Sequence, residues 1–241
     1  MIPSRLLLGT LAGAQVAYAY LPERHRTHAT RGIVVLMLTT STVEAMEARG
    51  PRRGAALTAG AAALGFATEL LGVATGRPFG HYTYSAKLGP GVGGVPLLAA
   101  AAWAMMARPA WVVAGLIDRR PAVRVPLAAG ALTAWDAFLD PRMAREGYWS
   151  WPGGGRYEGI PASNFLGWAG TGAVVFAAFA ALDPADDPAR DGDGALALYA
   201  WTWIGETFAN AVIWRRPRVA LVAGAAMGVF ALPALVRRLS R

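Results

Sequence analysis

Apolar residues in this chain come in long unbroken blocks, with no strand-like alternation. Eight such blocks can be drawn, at about 5–21, 30–47, 54–75, 92–116, 121–139, 163–182, 195–214 and 218–236, each close to the ~20 residues that cross a bilayer as a helix. The fourth contains Arg108-Pro109, where a helix kinks or breaks in two. The second is the least hydrophobic and carries Glu44 and Glu47 near its end. The first has features of a signal peptide, namely Arg5, a short apolar run and Ala17-Tyr18-Ala19. It is read as a span because no soluble domain follows it. The pattern predicts an all-α, polytopic transmembrane bundle of seven or eight helices, with residues 1–241 as one membrane domain.

Connections between packed helices are usually short. Two here are long, 76–91 and 140–162, and a third, 183–194, is acidic and rich in Pro and Gly. If every segment spans, the first two share one side of the membrane and the third lies opposite. Both long loops are dense in aromatics and glycines, as expected of lids over a pocket. Residues 54–65 are nearly all Gly and Ala, so helices can approach closely there.

Composition sharpens this picture. Hydrophobic residues make up 55% of the chain and charged ones 16%, against about 25% charged in soluble domains. The mean hydropathy is +0.35. The net charge of +8 would suit nucleic acid in a soluble protein. Here the arginines cluster between apolar blocks (Arg49, Arg52, Arg53; Arg119, Arg120, Arg124; Arg215, Arg216, Arg218), where they meet lipid headgroups. No nucleic-acid partner is expected, because basic and aromatic residues do not interleave. Basic residues divide almost evenly between the two sides, so orientation is not fixed. The chain has no cysteine, which excludes disulfides, thiolate catalysis and zinc–thiolate sites.

Ionisable groups inside apolar segments are costly in hydrocarbon and mark candidate chemistry. Glu69 lies near the end of the third segment. Asp136 is one turn before Asp140, and i, i+4 spacing puts both on one helical face. Two adjacent carboxyls in a poorly solvated place resist double ionisation, which makes a general acid beside a general base. The bland alternative pairs Asp136 with an arginine and leaves Asp140 to start a turn at Pro141. Glu206 and Glu44 are further intramembrane carboxyls. Tyr82, Tyr84, His81, Trp149, Trp151, Tyr157 and Asn164, with Glu206, are the candidate substrate-binding residues. Trp111, Trp135 and Trp214 fit an interfacial aromatic belt better. His25-x-x-His28 lies in an apparent basic loop and lacks a carboxylate partner for a metal. Asp186-Asp187-x-x-x-Asp191 reads as a solvated connector. No nucleotide-binding or serine-nucleophile motif is present.

A set of spaced residues resembles a known family. They are Glu69-x-x-Gly72, Gly76-x-Pro78-Phe79-Gly80-x-Tyr82-x-Tyr84, Leu88-Gly89-Pro90, Gly94-Val95-Pro96, Asp136-x-x-x-Asp140-Pro141, Trp149-x-Trp151, and Tyr157-x-Gly159-Ile160-Pro161-x-x-Asn164-Phe165-x-Gly167-Trp168. The stretch is similar to the membrane-bound carotenoid hydratases of the bisanhydrobacterioruberin hydratase and γ-carotene 1′-hydratase type. The likeness is strong over about residues 65–170 and lies elsewhere only in hydropathy. It implies water addition across the terminal C1–C2 double bond of an acyclic ψ end group, with no cofactor, on a carotenoid dissolved in the lipid of a bacterial or archaeal cell membrane. Chemistry then assigns Asp136 or Asp140, as a coupled pair, the role of acid, and Glu69 that of orienting water or acting as base. The lid aromatics would stabilise a tertiary cation, each by roughly 0.5–2 kcal/mol when desolvated. Two other outcomes remain open: a proton-initiated isoprenoid cyclase, whose product keeps its mass, and a carotenoid carrier or transporter, which binds without turnover.

Overall fold

The computed structural model describes residues 3–184, 187–188 and 192–240. Among them are eight long helices: α1 (Ser4–Tyr18), α2 (Glu23–Arg49), α3 (Pro51–Thr75), α4 (Leu97–Ile117), α5 (Pro121–Arg145), α6 (Ala162–Leu182), α7 (Asp193–Phe208) and α8 (Pro217–Leu239). Five of these, α3, α4, α5, α6 and α8, are long and apolar enough to cross a membrane. Helix α1, with 15 residues, reaches about 22 Å and α7 has 16 residues, so both are short for a span, while α2 is long but carries many charges; these three complete the bundle. The protein is an all-α membrane protein. Its central rod is α4, which packs against α2, α3, α5, α7 and α8 and is buried almost throughout from Trp103 to Leu116.

The loops 76–91 and 140–162 do meet at one end of the bundle. Strand β1 (Thr83–Tyr84) pairs with β4 (Trp149–Ser150) antiparallel, with Tyr84 opposite Trp149. Between them in sequence, β2 (Gly91–Val92) and β3 (Val95–Pro96) form a tight hairpin leading into α4. The opposite end holds Asp183, which accepts from Arg49 Nε at 2.5 Å and Arg49 Nη2 at 2.7 Å.

Several expectations change. Helix α2 begins at Glu23, so His25 and His28 lie on its first turns instead of in a loop. Helix α4 runs unbroken through Pro109. Helix α5 continues past Asp140-Pro141 to Arg145, which shortens the second lid and makes Asp140 helical. Trp111 and Trp135 are buried inside the bundle, so neither belongs to a lipid-facing belt. Trp111 lies under the Arg124 guanidinium at 3.7 Å and parallel to Phe176. Glu44 forms a buried ion pair with Arg108 at 3.2 Å that ties α2 to α4. Asp187 pairs with Arg119; Asp186 and Asp191 lie outside the described residues.

Candidate active site

Helix α5 brings Asp136 and Asp140 to one face, one turn apart, against the first turn of α6. There Asn164 Nδ2 donates to Asp136 Oδ2 at 3.0 Å and to Asp140 Oδ2 at 2.5 Å. Among the described residues no arginine takes part in the hydrogen bonds of this pair. Trp149, on β4, donates its Nε1–H to Asp140 Oδ1 at 3.0 Å. Asp136 is fully buried, and its Oδ1 has no hydrogen-bond partner. A bare carboxylate oxygen in such a place is costly, so Oδ1 is a natural seat for a proton.

Glu69 sits on α3 across the same space. Tyr82 donates to its Oε2 at 2.5 Å and Tyr84 to the same oxygen at 2.8 Å. Trp103 Nε1 donates to Oε1 at 3.0 Å. An indole N–H can only donate, so Oε1 must accept. Both oxygens of Glu69 accept, as do both oxygens of Asp140, and of the three carboxyls only Asp136 has an oxygen that meets no donor.

The spacing Glu69-x-x-Gly72 has a physical reason. Gly72 lies one turn on, on the same face, and a Cβ there would come within 2.8 Å of the Tyr82 hydroxyl and of Phe79. Gly167, one turn after Asn164, likewise leaves space for Phe79, whose ring would lie 2.6 Å from an added Cβ. The two glycines make the slot that seats Phe79. Phe79 then meets Tyr82 edge-on at 6.0 Å and accepts through its carbonyl from Trp151 Nε1 at 3.1 Å. Tyr82, Tyr84, Trp149 and Trp151 follow as a contiguous aromatic wall, with ring centroids 5.4–6.0 Å apart.

Burial first, and the Glu69 carboxyl second, push the Tyr82 and Tyr84 phenols above their usual value. Both remain neutral O–H donors at physiological pH. Tyr157 is pushed up to about 12, chiefly by burial. Its hydroxyl donates to the carbonyl of Ala137 at 2.9 Å. That carbonyl is the one Pro141, four residues on and without an N–H, cannot serve. The phenol supplies the missing donor, and α5 can continue past the proline with Asp136 and Asp140 in register.

These groups border a space of about 40 Å³ lined by Glu69, Tyr82, Tyr84, Asp140, Trp149 and Asn164, among others. Asp136 stands behind Asp140. His81 is exposed and packs over Gly76. Glu206 lies apart, on α7, ion-paired to Arg142 at 3.3 Å. Sequence reading passed over Trp103 and Arg142. The available signal for Trp103 was an indole N–H in the middle of an apolar helix, which needs a buried partner. Among the described residues no three His, Asp or Glu side chains group closely enough to hold a metal ion.

Fold and site together define a helical membrane protein with an enclosed carboxyl–aromatic centre. A family model described as "Carotenoid biosynthesis protein" matches residues 6–231, and the chain belongs to that family. It is also similar to bisanhydrobacterioruberin hydratase from Haloarcula japonica, at 32% identity over 119 residues. That match covers 47% of this chain and 40% of the relative, so less than half of the relative's length is represented. No solved structure matches the chain.

Proposed function

We propose that this protein is a carotenoid hydratase acting in the cell membrane, adding water across the C1–C2 double bond of an acyclic end group. The observation that carries this reading is Asp140, backed by buried Asp136 and facing an enclosed aromatic space with Glu69 on its far side. The two aspartates share one proton, since like charges this close disfavour double ionisation. Asp140, the member that lines the space, delivers that proton to C2. The π pair becomes the new C–H bond, and a tertiary cation is left at C1. Tyr82, Trp149 and Trp151 line the space around it, and each desolvated ring face turned toward the cation contributes roughly 0.5–2 kcal/mol.

Water then attacks C1. The space beside the carboxyls, about 40 Å³, has room for water and polar groups to hold it. Glu69, already an acceptor, takes a hydrogen bond from that water and orients a lone pair on C1. The oxonium proton returns to the carboxylates, so the enzyme is restored and the sum is addition of H and OH. No electrons change hands, so the reaction needs no redox partner.

Asp140→Asn keeps the shape and the hydrogen bond from Trp149 but has no acidic proton. In a host making an acyclic carotenoid, the hydroxylated product should fall by at least about 10²-fold, the lower range for loss of a general acid. Pigment extracts resolved by mass give the answer; unchanged hydration would remove Asp140 from the chemistry.

A further inference from the structure

Three internal spaces lie side by side around α5. The site space shares Val34, Met105, Leu139 and Met143 with a second space of about 60 Å³. The second shares Gln15, Ile33, Arg142, Thr202 and Glu206 with a third of about 180 Å³. The third lies between α1 and α7. Its rim carries Val16, Tyr20, Phe208 and Ile213, all exposed apolar or aromatic side chains at lipid-facing positions.

We propose that these spaces are one tunnel through which the isoprenoid chain of the substrate passes from the lipid, between α1 and α7, to Asp140. The proposal rests on the hydratase reading for the identity of the ligand, and on the cavities for its path. The partitions between spaces are deformable. Met105 and Met143 stand at the first, and unbranched thioether side chains repack easily around a threading chain.

The charged pair at the second partition is neutralised on every side. Arg142 meets Glu206 at 3.3 Å and Glu146 at 3.4 Å, and its guanidinium lies over the rings of Tyr18 at 4.5 Å and Trp214 at 4.9 Å. It therefore offers a flat aromatic-faced wall and not a bare charge. Glu206 is held by Asn210, whose Nδ2 donates to the Glu206 carbonyl at 2.9 Å, at the start of a π-helical turn over Ala209–Ile213. Such turns recur at functional sites. At the same partition, Trp201 Nε1 donates to Gln15 Oε1 at 2.7 Å, a hydrogen bond that ties α7 to α1. The polar edge formed by Gln15, Thr202 and Glu206 would meet a chain end that enters as an alkene and leaves as an alcohol.

The test fills the tunnel and reads binding separately from turnover. Gly205 faces the third space, and an added Cβ would meet only a Trp201 ring atom, at 3.9 Å. Gly205→Phe therefore fits the helix and blocks the passage. Val16→Trp narrows the lipid-facing rim without touching the interior. Thr133→Phe adds the same bulk to a different apolar groove, outside α5 between α6 and α8. Purified protein in detergent is incubated with lycopene, separated from free pigment, and assayed for bound pigment and product. Gly205→Phe and Val16→Trp should each lower bound lycopene at least fivefold, with turnover falling in step, while Thr133→Phe behaves as wild type. Wild-type binding in both tunnel variants, or loss confined to Thr133→Phe, would overturn the tunnel. If wild-type protein binds lycopene without converting it and the tunnel variants lose that binding, the tunnel stands and the hydratase reading falls.

Discussion

At the scale of single residues, the site separates two kinds of carboxyl by their partners. Glu69 has three donors, two phenols and an indole, and both of its oxygens accept. Asp136 has one amide donor and one bare oxygen. The pairing of Asp136 with Asp140 was legible from i, i+4 spacing, but the order in depth was not. Only packing places Asp140 at the wall of the space and Asp136 behind it. The lid phenols carry a pH consequence. Their folded values lie above the unfolded value of about 10. Folding thus favours the protonated phenols, a contribution complete below about pH 10 and lost as pH rises beyond it. Thermal unfolding in detergent should therefore show Tm falling above pH 10, and falling less steeply in Tyr84→Phe. A flat profile to pH 11 in the parent would contradict the buried, hydrogen-bonded placement of these phenols.

At the scale of elements, hydropathy located the eight helices to within a few residues in most cases and failed where charge or proline interrupted it. The first turns of α2, from Glu23 to His28, carry too many charges to read as part of an apolar block. Pro141 looked like a helix stop because its own missing N–H is visible in sequence, whereas the donor that replaces it comes from Tyr157, sixteen residues on. That substitution makes Tyr157 a positioning residue for the Asp136–Asp140 face. Tyr157→Phe removes one hydrogen bond, worth about 1 kcal/mol. It should loosen α5 at Pro141 and lower kcat several-fold with little change in KM. Hydrogen exchange at the amides after Ala137 should rise in the same variant. An unchanged kcat together with unchanged exchange would show that α5 holds its course without the phenol.

At the scale of the whole molecule, parity alone placed the two lids on one face, and their β1–β4 pairing joins them there. The sequence could not show that the lids are fastened, because Tyr84 and Trp149 act through partners on α3 and α5 that are distant along the chain. With Tyr82 and Tyr84 bonded to Glu69 and Trp149 to Asp140, the lids form fixed walls, which fits the proposed entry of substrate from the side. Thr83 and Ser150 are direct neighbours across the pairing and both exposed, at the cross-strand Cβ separation of about 5 Å that a disulfide can draw together. The chain has no native cysteine to interfere. A Thr83→Cys/Ser150→Cys pair, oxidised, should leave turnover within about twofold of the reduced form. A large loss on oxidation, regained with reductant, would make the lids the door.

The central claim is that a proton from Asp140 and a hydroxyl from water end up on adjacent carbons of the substrate. Purified protein supplied with an acyclic carotenoid in water enriched in ¹⁸O, and in parallel in deuterium oxide, tests it most directly by mass spectrometry of the product. Hydration by this route gives one ¹⁸O in a tertiary alcohol at C1 and one non-exchangeable deuterium at C2, with no product from Asp140→Asn. A product of unchanged molecular formula, or an oxygen that carries no label from water, would contradict it.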